Sequence, residues 1–103
     1  MPYIQNEQRQ ALNQSIDNLA AEIAKLHAGK DKPNKDGLLN YSLTRLLNKL
    51  YPDARYRDYN EIIGMLECCK LEYYRKYASP YEDQKEQENG AVEVFNKGSR
   101  TNY

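Results

Sequence analysis

The stretch from Asp58 to Tyr77 reads DYNEIIGMLECCKLEYYRKY. Within it Tyr59, Ile62, Ile63, Leu66, Cys69, Tyr73 and Tyr77 recur every three or four residues, the spacing of one helical face. About 120° round the same helix runs a second set, Asn60, Gly64, Glu67, Leu71 and Tyr74. The first face predicts packing against a core. The second is not explained by core packing alone. A glycine inside a helix is ~1 kcal/mol less favourable than alanine, so Gly64 predicts a close neighbour there: another helix, another subunit or a ligand. Asp58, with Glu61 three residues on, predicts an N-cap and a capping box at the start of this helix.

Working upstream, PDARYR (52–57) is a turn, and Pro52 stops a preceding helix that starts near Asp36, taken as its N-cap, and runs to about Tyr51. Leu39, Leu43, Leu46, Leu47 and Leu50 give this helix a broad core face. Asn40, Thr44 and Tyr51 flank that face. On the outer side Tyr41 and Arg45 stand four apart, so the guanidinium can lie over the ring. Residues 28–37, AGKDKPNKDG, read as an exposed loop; its lysines and glycines do not follow the GxxxxGK[ST] order of a phosphate loop. A first helix is predicted from Gln8 to His27. Its apolar residues Leu12, Ile16, Leu19, Ile23 and Leu26 are spaced 4, 3, 4, 3, a narrow seam suited to a helical hairpin or to self-association. Residues 1–7 form an extended lead-in whose Tyr3 and Ile4 are expected to pack across the bundle.

Downstream, Ser79, Pro80 and Glu82 supply an N-cap, a first-turn proline and a glutamate at the third position, predicting a separate short helix to Asn89 ended by Gly90. The whole is expected to be all-α: a small bundle of three helices plus a short C-terminal helix over residues 1–90. A flexible tail over 91–103 should be free, or pinned to a neighbour through Val94 and Phe95. The apolar seams make a homo-oligomer the expected state.

Composition narrows the functional classes. Lysine plus arginine equals aspartate plus glutamate at 15 each, so no net field draws the chain to DNA, RNA or an anionic membrane. No run of apolar residues is long enough to span a bilayer, and the first ten residues lack the pattern of a signal peptide, so a cytoplasmic location is expected. Cys68 and Cys69 are adjacent within a helix and read as free thiols. His27 is the only histidine, which leaves no ligand set for zinc and no neighbouring base for a nucleophile. No metal and no cofactor is expected, and no enzymatic activity. Tyrosine is the outlier, ten against one phenylalanine and no tryptophan. Its apolar body and polar tip suit shallow cores, interfaces and stacking walls alike. Glu67, on the second stripe near Tyr74 and Arg75, reads either as a ligand hook or as an internal hydrogen-bond partner.

The chain resembles a family of small uncharacterised prokaryotic and phage-borne proteins. The likeness rests on the opening Met1–Ile4 and on an LNYxxTRLL segment matched by Leu39, Asn40, Tyr41, Thr44, Arg45, Leu46 and Leu47. It continues in an NExIGxLExxKLExYR helix, carried here by Asn60, Glu61, Ile63, Gly64, Leu66, Glu67, Cys68, Lys70, Leu71, Glu72, Tyr74 and Arg75. Its last block is PYEDxKxxENG, matched by Pro80–Asp83, Lys85 and Glu88–Gly90. The lysine-rich loop and the tail after Gly90 depart from the pattern. The resemblance brings no established activity. Phage genomes often encode small helical oligomers that bind a host protein or sequester a nucleotide messenger, and by that analogy a site would form where subunits meet.

Two functions follow as expectations. The first is a non-enzymatic homo-oligomeric binder of a nucleotide-like ligand, using Asn40, Tyr41, Thr44, Arg45, Asn60, Glu67, Tyr74 and Arg75; arginine forks suit phosphate and tyrosine rings suit a stacked base. The second is an adaptor or inhibitor whose tyrosine and arginine surfaces meet a host protein.

Overall fold

The computed structural model describes residues 2–93. They form α1 (Asn6–His27), α2 (Lys35–Leu50), α3 (Tyr56–Tyr73), a π-helical turn (Tyr74–Ala78) and α4 (Ser79–Asn89), with no strand among the described residues. The fold is all-α. The expectations for Val94, Phe95 and the remainder of the tail lie outside the described residues.

Each boundary has a local cause. At the start of α1 the Gln8 side chain accepts from the Gln5 backbone N–H at 3.1 Å, and Arg9 Nε donates to the Ile4 carbonyl at 2.7 Å. These bonds hold the extended lead-in against the first turn and occupy a donor that the helix leaves unpaired. Tyr3 and Ile4 do not pack across a bundle; both stay exposed, lining a shallow groove with Leu12 and Ile16 of α1. Lys25 and His27 lie in the last turn, where positive charge complements the helix dipole. His27 Nδ1 sits 2.9 Å from the Pro33 carbonyl and ties the end of α1 across the connecting loop, donating in the tautomer that carries hydrogen there.

The N-cap of α2 is Asn34 rather than Asp36. Asn34 Oδ1 accepts from the Asp36 N–H at 2.8 Å, and its backbone is extended as a cap requires. Asp36 falls inside the first turn, where a carboxylate still complements the dipole. A similar shift corrects α3, which begins two residues before Asp58. Asp58 is the third helical residue, and its Oδ2 accepts from the Arg55 N–H at 3.0 Å. Asp58 therefore supplies the backward half of a capping box and is not itself the cap.

The separate helix expected after Ser79 is instead continuous with α3. Ser79 is helical at φ −63°, ψ −47°, and its N–H bonds to the Tyr74 carbonyl, five residues back. Proline has no N–H to donate, and its ring crowds the carbonyl four residues earlier. A single widened turn immediately before Pro80 accommodates both defects, so the chain continues as helix to Asn89. Gly90 ends it at φ 87°, ψ 147°, a left-handed conformation that favours glycine, with its N–H on the Glu86 carbonyl at 2.8 Å.

The chain divides into two compact units, residues 1–65 and residues from Leu66 onward. In the first, α1 and α2 pack as a helical hairpin, with Ile23, His27, Pro33, Leu38, Ser42 and Leu47 partly covered. In the second, the π-helical turn and α4 form one helical run. Here Tyr73 and Tyr77 stack at 4.8 Å between ring centroids, and Lys85 Nζ lies 5.7 Å from the Tyr81 ring.

The expected core is not formed among the described residues. Among the described residues none is buried. Leu39, Leu43, Leu46 and Leu50 of α2, and Tyr59, Ile63, Tyr73 and Tyr77 of the long helix, are exposed; Leu47, Ile62 and Leu66 are partly covered. An apolar helical stripe is buried only by a second layer laid on it, and a two-helix hairpin supplies one layer. Gly64 likewise has no close neighbour: a Cβ built on it meets nothing within 4 Å.

Candidate functional site

An open groove of about 480 Å³ in the first unit is lined by Tyr41, Thr44, Arg45, Asn48, Lys49 and Pro52. These positions follow Tyr41 by 3, 4, 7, 8 and 11 residues, one continuous face of α2 extended by the turn that ends it. Helical geometry puts this face opposite the stripe of Leu39, Leu43, Leu46 and Leu50. Thr44 Oγ1 donates to Asn40 Oδ1 at 3.1 Å, which fixes the hydroxyl at the groove's edge.

Four of the residues expected at a site from the sequence therefore share one region of α2: Asn40, Tyr41, Thr44 and Arg45. Asn48, Lys49 and Pro52 were not among them. Their helical spacing from Tyr41 is the signal that identifies them. The stacking of Arg45 on Tyr41 is not formed; the cation–π contact seen among the described residues is that of Lys85 with Tyr81. Neither Arg45 nor Lys49 has a hydrogen bond or ion pair among the described residues. The groove thus offers two cations and a phenol ring on a single face, a donor set that can meet an anion and stack a planar group.

The other four expected residues lie along α3 and the turn after it, and two are held by local partners. Glu67 is exposed and pairs with Lys70 Nζ at 2.8 Å, so it is not the partly buried hook that the stripe pattern implied. Arg75 donates to Glu72 from Nε at 2.8 Å and from Nη2 at 2.6 Å, which occupies its fork. Asn60 and Tyr74 are exposed on the second stripe. Cys68 and Cys69 are free and exposed. Among the described residues no three of histidine, cysteine, aspartate and glutamate gather into a metal-binding group, and no helix is long and apolar enough to cross a membrane.

No curated protein and no solved structure matches the chain. A family model does match, over residues 1–92, and so covers the hairpin, the groove and the long helix together. On that match the chain belongs to the family described as a domain of unknown function, DUF6899.

Proposed function

We propose that the protein is a non-enzymatic homo-oligomer that binds a phosphate-bearing, nucleotide-like ligand in the groove on the outer face of α2. The observation that carries this reading is the grouping of Tyr41, Arg45 and Lys49 in one groove, with both cations unpaired among the described residues. Arginine offers a planar fork to phosphate oxygens, lysine adds a point charge one turn on, and the tyrosine ring gives a base or another flat group a surface to stack on. Thr44 and Asn48 add neutral hydrogen-bonding groups between them. A phage-borne sequestering role is the biological form of this reading.

Thermal unfolding in the presence of cyclic and linear nucleotides tests it. A ligand at 100 times its Kd stabilises by about 2.7 kcal/mol, a readily measured rise in Tm that Arg45→Ala should abolish. Absence of any shift across the series at millimolar ligand would refute the nucleotide reading.

A second reading has its own support. Tyr56, Tyr59, Tyr73, Tyr74, Tyr77 and Tyr81 are all exposed, and tyrosine is a residue type enriched at binding hot spots. An adaptor that meets a host protein through these rings would retain its partner in pull-downs after Arg45→Ala and lose it after Tyr73→Ala with Tyr77→Ala.

A further inference from the structure

The two helices of the hairpin carry the same apolar rhythm. In α1 Leu12, Ile16, Leu19 and Ile23 are spaced 4, 3, 4; in α2 Leu39, Leu43, Leu46 and Leu50 are spaced 4, 3, 4. Counted outward from the connecting loop the two series fall in step, giving four rungs: Ile23 with Leu39, Leu19 with Leu43, Ile16 with Leu46, and Leu12 with Leu50. Rungs matched in this way allow the two stripes to join in one apolar face. In the structure both stripes are open: seven of the eight side chains are 38–64 % exposed, and Ile23 is partly so.

We infer that this face is covered by a second copy of the hairpin, two chains forming a four-helix bundle. The inference rests on the homo-oligomeric part of the function proposed above and specifies its stoichiometry and interface. Three observations favour a second copy. At roughly half exposure, eight leucine and isoleucine side chains offer roughly 700 Å² per copy, close to the ~800 Å² per partner of a standard interface. Helical geometry keeps charge off the middle of the strip: Asp17, Glu22 and Lys25 lie at least about 80° from the α1 seam and Arg45 and Lys49 about 90° or more from the α2 stripe, while Arg9, Lys35 and Asp36, about 50° away, stand only beyond its ends. Charge depletion at the centre of a patch marks an interface. Finally, a strip with the same spacing on both helices matches its own two-fold image, as an isologous dimer requires and an unrelated partner does not.

Sedimentation equilibrium of the full chain across a micromolar concentration series, with thermal unfolding at each concentration, tests this. The expected results are twice the 12.1 kDa chain mass and a Tm that rises with concentration. Ile16→Asp and Leu43→Asp place a carboxylate in the strip and should each weaken dimerisation at least about 100-fold, whereas Arg45→Ala, on the opposite face of α2, should leave it unchanged. Because the aspartate variants lose structure if folding and pairing are coupled, Leu43→Ala and Leu46→Ala provide graded controls: each should lower the dimer affinity while the remaining dimer keeps its helicity. A folded monomer with a concentration-independent Tm would overturn both the dimer and the oligomeric reading. An oligomer that survives Ile16→Asp and Leu43→Asp would overturn the hairpin interface alone. A nucleotide titration that fails while the dimer persists would count against the ligand reading and leave this interface standing.

Discussion

Gly64 gives the sharpest test of whether the long helix carries its second stripe for a neighbour. In the structure a Cβ at position 64 meets no atom within 4 Å, and α3 is regular on both sides of it. With no steric penalty, replacement by alanine should show the intrinsic helix preference, about 0.8–1.0 kcal/mol in favour of alanine in a helix interior. For a domain of about this size a gain of 1 kcal/mol raises Tm by roughly 4–8 °C. Gly37 provides an internal comparison: a Cβ there also meets nothing within 4 Å, but the residue lies in the first turn of α2, where the gain from alanine should be smaller. Gly64→Ala, Gly37→Ala and the parent would be unfolded by heat at one protein concentration, followed by circular dichroism at 222 nm. The expected order of Tm is Gly64→Ala, then Gly37→Ala, then the parent. A fall in Tm for Gly64→Ala with a normal response for Gly37→Ala would refute the reasoning. It would put another subunit or a ligand against the glycine in solution.

The remaining predictions concern the helix ends and the paired carboxylate. Asn34→Ala removes the acceptor for the Asp36 N–H and should cost about 1 kcal/mol in denaturant unfolding, with Asn34→Asp close to neutral. Gly90→Ala forces a side chain into a backbone region restricted to glycine, at about 1–3 kcal/mol. The effect should be local, appearing as faster amide exchange in the last turn of α4 with little change in Tm. Glu67→Gln loses an exposed ion pair with Lys70 and should change stability by no more than about 0.5 kcal/mol; a larger loss would restore Glu67 as a buried contact. Pro80→Ala removes the cause assigned to the widened turn, so the Ser79 N–H should transfer from the Tyr74 to the Arg75 carbonyl, a change that through-hydrogen-bond couplings in NMR can register.

Helix existence was legible in the sequence because it depends on spacing that one chain fully displays. The seam of Leu12 to Leu26, the leucines of α2 and the faces of α3 all became helices. The ends shifted by a residue or two wherever a second capping residue stood nearby. Asn34 competes with Asp36, and it prevails because its amide side chain reaches the N–H two residues on while its own backbone stays extended. Asp58 satisfies the Arg55 N–H from inside the helix, an arrangement that carries the same D-x-x-E signature as a cap. Ser79-Pro80 is a true start signal in isolation. Here it does not start a new helix, because a π-helical turn can absorb a proline without ending a helix, and nothing in the local composition distinguishes the two outcomes. Burial was the least legible feature. The apolar faces predict a core, but periodicity establishes only that a face needs a cover and not which molecule supplies it. At the candidate site Tyr41 and Arg45 stood out by residue type. Lys49 and Asn48 required the helical wheel, and the grouping with Tyr74 and Arg75 rested on motif membership, which carries no distance.

The two faces of α2 connect the proposed interface to the proposed ligand groove. Leu39, Leu43, Leu46 and Leu50 lie on one side of the helix and Tyr41, Arg45 and Lys49 on the other, so a second hairpin and a ligand would not compete for space. The two proposed events would nonetheless be coupled through the helix itself. A helix of 16 residues is only just longer than the length below which isolated helices are marginal in water, and most helical stability in proteins comes from packing an apolar face. The groove exists only while residues 41–49 are helical, since its side chains converge through that periodicity. Covering the leucine face would therefore stabilise the groove from the opposite side, and a ligand that holds Arg45 and Lys49 in helical register would strengthen dimerisation by the same free energy. The coupling requires no contact between ligand and partner chain. Each would need only to favour the ordered helix over the frayed one, so residues of the proposed groove and residues of the proposed interface can alternate along a single short segment.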